Sequence, residues 1–419
     1  MKGPLPTRPR RLACALSLLF AVAGGAYAAG PVATVRVAFD RDGIVSTSAS
    51  GFADVDAARA VTADDPVRIA SVSKLVLTIG VMRLVEDGRL DLDADASRAL
   101  GWTLRHPRWP DLPITLRMLL SHQSGLTDGA GYWQVPLDGE FRTLLDDPRA
   151  WDQEHPPGSY WRYANVNFPL VAAIMERASG ERFDLLMRRL VLQPLGIAGC
   201  YGWEACDDAT VRRAVILYDS EGRPAVDDNR KGRPACAVRA AVDGSCDLSQ
   251  WVAGRNGASF GPQGGLRISA NGLAKIGQLL LGGGEVDGVR LLTAASVEAL
   301  ATPAWTWAPG NASPFEEDEP RDPHGRMFFC RYGLSAQTLA TPLPDCGDDP
   351  FGDGIARVGH AGNAYGLRSG LWIDREGGTG VAYFATGVAE TPPGAHSAFT
   401  AIEEKMARGE ASAAPIRPE

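Results

Sequence analysis

Two residues three apart, Ser71 and Lys74, carry the first chemical signal in the sequence. The chain has 37 arginines and only five lysines, and Lys74 falls inside the almost wholly apolar run SVSKLVLTIGVMRLVED, so it is not an ordinary solvated charge. Arginine stays protonated in proteins, whereas a desolvated lysine gives up its proton and can take one from a serine hydroxyl. A spacing of three puts both side chains on one face of a helix. This Ser-x-x-Lys occurs once in the chain. The competing reading is a chance spacing in which Ser71 simply caps the helix.

Two further groups of residues suit the same chemistry. Tyr163-Ala164-Asn165 follows the turn Pro157-Gly158 and precedes a helix, which puts a phenol and an amide on a loop where both can face a cleft. His360-Ala361-Gly362 lies at a strand end, with small residues that let a substrate approach the backbone. Taken singly, Tyr163 could be a core aromatic and His360 a surface histidine. Two decoys are set aside. Gly257-Ala258-Ser259-Phe260-Gly261 matches a nucleophile elbow in letters, but it has glycines before it and Pro262 after it where a strand and a helix are required. His122, beside Ser121 and Ser124, is assigned no catalytic role.

The elements that must position these residues can be read from periodicity and turn signals. Val32 to Asp40 and Ile44 to Phe52 alternate around Asp40-Arg41-Asp42-Gly43, the pattern of a β-hairpin. Helices are expected over Ser71 to Asp87, closed by Gly88, over Pro169 to Ser179, closed by Gly180, over Phe183 to Leu192, and over Asn271 to Leu281. Thr302 to His324 is polar and Pro-rich and reads as surface loop. Short β-rich runs follow at Phe328 to Leu334, Ile355 to Gly359, Ser369 to Asp374 and Gly380 to Gly387, and Ala395 to Ala407 has helical spacing. Strands at both ends of the chain and helices in its middle imply an α/β (α+β) fold. Its antiparallel sheet is built from N- and C-terminal strands and flanked by helices, with a central, mostly helical lobe.

Composition sets outer limits. The 419 residues are 45% hydrophobic and 22% charged, which is ordinary for a globular protein. Lys2, Arg8, Arg10 and Arg11 precede the apolar run Leu12 to Tyr27 and Ala26-Tyr27-Ala28, the form of a secretory signal peptide over 1–28. That run is too short for a membrane anchor and is broken by Gly24-Gly25. Arg10-Arg11 also allows a twin-arginine route. The remainder holds 38 basic against 50 acidic residues, which argues against a nucleic-acid partner. Six cysteines remain in three local couples, Cys200 with Cys206, Cys236 with Cys246, and Cys330 with Cys346; an even count suits disulfides in an oxidising compartment, periplasmic or secreted. Metal binding is disfavoured by the absence of any Cys-x-x-Cys. The expected organisation is one domain over 29–408, with a sheet lobe (32–70 and 326–408), a helical lobe (75–325) and a flexible tail over 409–419.

In this order the three motifs resemble the serine β-lactamase and penicillin-binding-protein family, in its class C β-lactamase-related branch, which includes DD-peptidases, D-aminopeptidases and esterases. The likeness extends through Arg68 to Lys74, Gly88 to Asp93, Leu119 to Leu126, Pro194-Leu195-Gly196, Gly264-Gly265-Leu266, and Gly359 to Gly362 with Gly366. It implies an exported serine hydrolase that attacks an ester or amide carbonyl with Ser71 and forms an acyl-enzyme. Lys74 and Tyr163 would share the proton and Asn165 would orient Lys74 and the substrate. The backbone N–H groups of Ser71 and Asn363 would hold the oxyanion beside Gly362. The alternatives are a class C-type β-lactamase or DD-carboxypeptidase, and a penicillin-binding sensor that acylates without turnover. No cofactor and no metal are implied, and the partner is a small-molecule or short-peptide substrate. Where class C β-lactamases commonly carry a lysine, this chain has His360, whose ordinary pKa near ~6.5 would make reception of a substrate carboxylate pH-dependent.

Overall fold

The computed structural model describes residues 30–225, 232–313, 322–388 and 394–410, together with Met1 and Gly3. Apart from Met1 and Gly3, the signal segment lies outside the described residues, as do 314–321 of the Pro-rich segment and 411–419 of the tail.

Asp40 makes the first turn, its carboxylate accepting from the backbone N–H groups of Asp42 and Gly43. That side chain reverses the chain between β1 (Ala33–Asp40) and β2 (Ile44–Asp54). These pair antiparallel and are followed by the short β3 (Arg59–Ala60). The other strands of the sheet come late in the chain: β4 (Trp305–Thr306), β5 (Arg331–Tyr332), β6 (Gln337–Thr338), β7 (Val358–Ala364), β8 (Leu367–Asp374) and β9 (Thr379–Thr386). They run in the order β4-β5-β6-β7-β8-β9-β1-β2-β3, all antiparallel. The two ends of the chain meet where β1 pairs with β9, Val35 opposite Phe384.

Both faces of the sheet are covered. Alternation sends Leu371, Ala382 and Phe384 to one side, with α1 (Val72–Glu86), α2 (Asn167–Ser179) and α3 (Ala270–Leu281) in the main core. Trp372, Val381 and Tyr383 go to the other side, where Phe399, Met406 and Ala407 close over them. The helix there, α4 (Ala401–Arg408), starts later than its spacing suggests, because Thr400 and Glu403 form a capping box that fixes the start at 400. The expected strand over Phe328 to Leu334 shrinks to Arg331–Tyr332. Cys330 is tied to Cys346, and Ser335, at φ 55, turns the chain into β6.

The polar Thr302 to His324 segment is not simply surface loop. Trp305 is buried and its ring stacks on Trp161 at 4.5 Å, in a cluster with Tyr163, Phe329 and Tyr332. A single large aromatic outweighs the polar residues around it. All three cysteine couples are disulfides, with Cα separations of 5.1, 5.5 and 6.0 Å. No helix among the described residues is long and apolar enough to cross a membrane.

Candidate active site

The site begins at a backbone kink. Ala70 sits at φ 46, a conformation alanine seldom adopts, and it turns the chain from the short strand Val67–Arg68 into α1. Ser71 occupies the capping position with φ −66 and ψ −14, yet its side chain makes no cap hydrogen bond. Its Oγ instead accepts from Lys74 Nζ at 2.8 Å, and Nζ also donates to the Gln263 carbonyl at 2.8 Å. The cap alternative is therefore set aside by geometry. Because α1 is apolar nearly all round and buried from Val72 to Met82, Lys74 is wholly removed from water.

Tyr163 and Asn165 arrive from the loop between the short strand Trp161–Arg162 and α2. The Tyr163 ring is buried and its centroid lies 5.0 Å from Lys74 Nζ. Its ring stacks with His122 at 4.4 Å and with Phe329 at 5.1 Å. Asn165 is held by Asp128, whose carboxylate accepts from the Asn165 backbone at 2.9 Å, from its side chain at 3.1 Å and from the Val166 backbone at 2.8 Å. Burial raises the Asp128 pKa, against the pull of those three donors and of Lys74.

The third wall is β7. A Cβ at Gly362 would stand 2.4 Å from the Ile69 carbonyl and from Ser369 Oγ, and 3.3 Å from the Ser71 nitrogen. Only glycine lets this strand lie against the start of α1. Asn363, half-buried, follows on the same strand opposite Arg368. His360 lies within the site, but not as an exposed charge: it is buried, and burial first, then the charge of Lys74, pulls its pKa down to about 3. Its Nδ1 faces the Ala361 carbonyl, which can only accept, so Nε2 is the acceptor for the Tyr332 hydroxyl at 2.8 Å. Both ring nitrogens of His360 are thus engaged within the protein.

A hydroxyl hydrogen-bonded to a buried amine, a phenol beside it, and backbone N–H groups at a helix start form a set suited to nucleophilic attack on a carbonyl. Residues 27–404 match the Beta-lactamase family model, which spans nearly the whole described chain. The chain belongs to the beta-lactamase family. It is 31% identical to Esterase EstB of Burkholderia gladioli over 213 residues, 46% of this chain and 52% of that protein. It is 29% identical to Lovastatin esterase of Penicillium rubens over 181 residues, 38% of this chain and 45% of that protein. The chain thus spans about half the length of the curated relatives it matches. Among solved structures it resembles the D-amino acid amidase from Ochrobactrum anthropi SV3, with a TM-score of 0.60, 20% identity, and 91% of this chain and 93% of that one covered. It likewise resembles the octameric penicillin-binding protein homologue from Pyrococcus abyssi, with a TM-score of 0.60, 20% identity, and 87% and 71% covered. At these identities the likeness is one of fold.

In this beta-lactamase-family chain the second serine motif is a turn. Ser259 Oγ donates to the Asn256 carbonyl at 3.1 Å, and a Cβ at Gly257 would collide with the Pro169 carbonyl of α2. Sequence reasoning missed Asp128, Gln263 and Tyr332. Gln263 serves through its backbone, which no side-chain pattern marks. An acid at 128, soon after the Leu119 to Leu126 run, could have been noticed as a partner for the N–H groups that open α2. Among the described residues, no group of three or more His, Cys, Asp or Glu is placed to hold a metal ion.

Proposed function

We propose that the protein is an exported esterase that works through an acyl-enzyme on Ser71. One observation carries the reading: Lys74 Nζ, buried, stands 2.8 Å from a serine Oγ that is not used as a helix cap. Ser71 Oγ attacks the ester carbonyl while Lys74 and the Tyr163 phenol share its proton, and the proton passes to the departing alkoxide. Asn165, anchored by Asp128, orients Lys74 and the substrate. The N–H groups of Ser71 and Asn363 receive the oxyanion, with Gly362 leaving room, and each such donor contributes about 10² to 10³ in rate. Water then hydrolyses the acyl-enzyme.

An ester is favoured over an anionic β-lactam because His360 offers no charge to a carboxylate. Two relatives that share sequence with this chain are named as esterases, which supports the same choice. Export is supported by three disulfides, which persist in oxidising compartments, and by the basic-then-apolar sequence over 1–28. The test is a panel of short-chain p-nitrophenyl esters, nitrocefin and a D-Ala-D-Ala peptide on the purified protein. Sustained ester turnover after a burst is expected. Faster turnover of nitrocefin or of the peptide would replace this reading, and a burst without turnover would mark a sensor.

A further inference from the structure

We infer that His122 is a positioning residue for Tyr163, clasping the backbone on either side of that phenol while its imidazole stacks against the ring. The inference rests on the general-base reading of Tyr163 given above. The clasp has two hydrogen bonds of 3.0 Å. The His122 carbonyl accepts from the Arg162 N–H, and His122 Nδ1 accepts from the Ala164 N–H. These are the residues immediately before and after Tyr163. The ring contact is a stack at 4.4 Å with 26° between planes. Backbone and side chain of one residue thus fix the phenol's position along the chain and the tilt of its ring together.

Packing alone does not account for the residue type. His122 is buried, and it sits at φ 58, left-handed backbone that few side chains accept. A backbone N–H only donates, so Nδ1 is unprotonated and the ring proton is on Nε2. Among the described residues that buried Nε2 has no hydrogen-bond partner. An apolar residue would avoid the orphaned group, and glycine would relieve the backbone, so two penalties are kept at one position beside a reactive phenol. What neither substitute supplies is an acceptor for Ala164. The acceptor is also dependable: burial, with the charge of Lys74 added, holds the His122 pKa well below its ordinary value, so Nδ1 stays free to accept. Asn167 Nδ2 stands 3.3 Å from the same Nδ1 and ties the clasp to the first turn of α2.

The test compares His122→Ala and His122→Asn with the unaltered protein, using the best p-nitrophenyl ester from the panel. Asparagine tolerates left-handed backbone and presents an acceptor near the position of Nδ1. Displacing a reacting group by about an ångström can cost on the order of 10² in rate. His122→Ala is therefore expected to lower kcat by about 10²-fold with KM changed less than about threefold, and His122→Asn to recover at least about tenfold of that loss. Thermal melts and active-site titration report the folded, competent fraction, and kcat is taken per titrated site. The clasp is refuted if His122→Ala keeps kcat within about twofold, or if His122→Asn is no better than His122→Ala at equal melting temperature. Tyr163→Phe separates the two ideas. If it retains activity, the general-base reading falls and the reason for the clasp with it; if it is inactive while His122→Ala is not, only the clasp falls.

Discussion

The hydroxyl of Tyr332, on β5, donates to Nε2 of His360, on β7, at 2.8 Å across the intervening strand β6. The histidine that the third motif presents is thereby a buried, neutral crosslink within the sheet, and the site's charge chemistry is concentrated on Lys74.

From this pair follows the first prediction. For an anionic ester and its neutral counterpart, the ratio of KM values should stay constant from about pH 5 to about pH 8, because an imidazole held near 3 does not titrate in that range. Steady-state kinetics on the two esters measures it. A ratio that climbs through the ordinary histidine range would mean that His360 is charged and meets the carboxylate after all.

The second prediction concerns the nucleophile. Ser71→Ala and Lys74→Ala should each lower kcat by at least about 10³-fold, as removal of one member of a coupled catalytic set does. Ser259→Ala should remain within about twofold, since Ser259 closes a turn through Asn256. Reversal of the two serine phenotypes would place the chemistry elsewhere.

Which parts were legible follows from how each is encoded. Ser71 and Lys74 were, because a helix converts a spacing of three into contact. The hairpin at Asp40 to Gly43 and the pairing of the two chain ends were legible because turn residues and alternation are local signals. The surroundings of His360 were not, because Tyr332 reaches it through sheet pairing 28 positions away. Trp305 was hidden by its polar neighbours, and the late start of α4 by apolar residues that precede the capping box. The surroundings of His122 were not legible either, because its imidazole accepts from a backbone N–H that carries no letter in the sequence.

The third prediction is covalent. Peptide mapping without reduction should recover Cys200–Cys206, Cys236–Cys246 and Cys330–Cys346. Because Cys330 and Cys346 are 16 apart, removing that bridge by Cys330→Ala with Cys346→Ala should cost roughly 3 kcal/mol by the loop-closure argument. Denaturant titration reads the loss. Bridges between different couples would refute the local scheme.

The fourth prediction turns on Glu176, wholly buried in α2 and accepting from the Phe183 backbone, the Trp251 indole and the Gly254 backbone at 3.0 to 3.1 Å. Burial outweighs those three donors and pushes its pKa up to about 7. The folded state therefore binds the Glu176 proton more tightly than the unfolded chain does. Its stabilising contribution is complete below the unfolded value near 4.5 and is lost as pH rises through about 7. The difference is on the order of 3 kcal/mol. His360 and His122, whose pKa values are depressed, act in the opposite sense: their contribution is present above about pH 6.5 and fades as the solution becomes more acidic. The two effects overlap between about 4.5 and 6.5 and mask each other in the unaltered protein, so the test compares two proteins rather than reading one curve. Unfolding free energies of the unaltered chain and of Glu176→Gln should be measured in urea at intervals from pH 5 to pH 8. Glutamine keeps the shape but not the titration, so the advantage of the unaltered chain should shrink as pH rises. Curves that run parallel would show that the three N–H donors hold Glu176 ionised across the whole range.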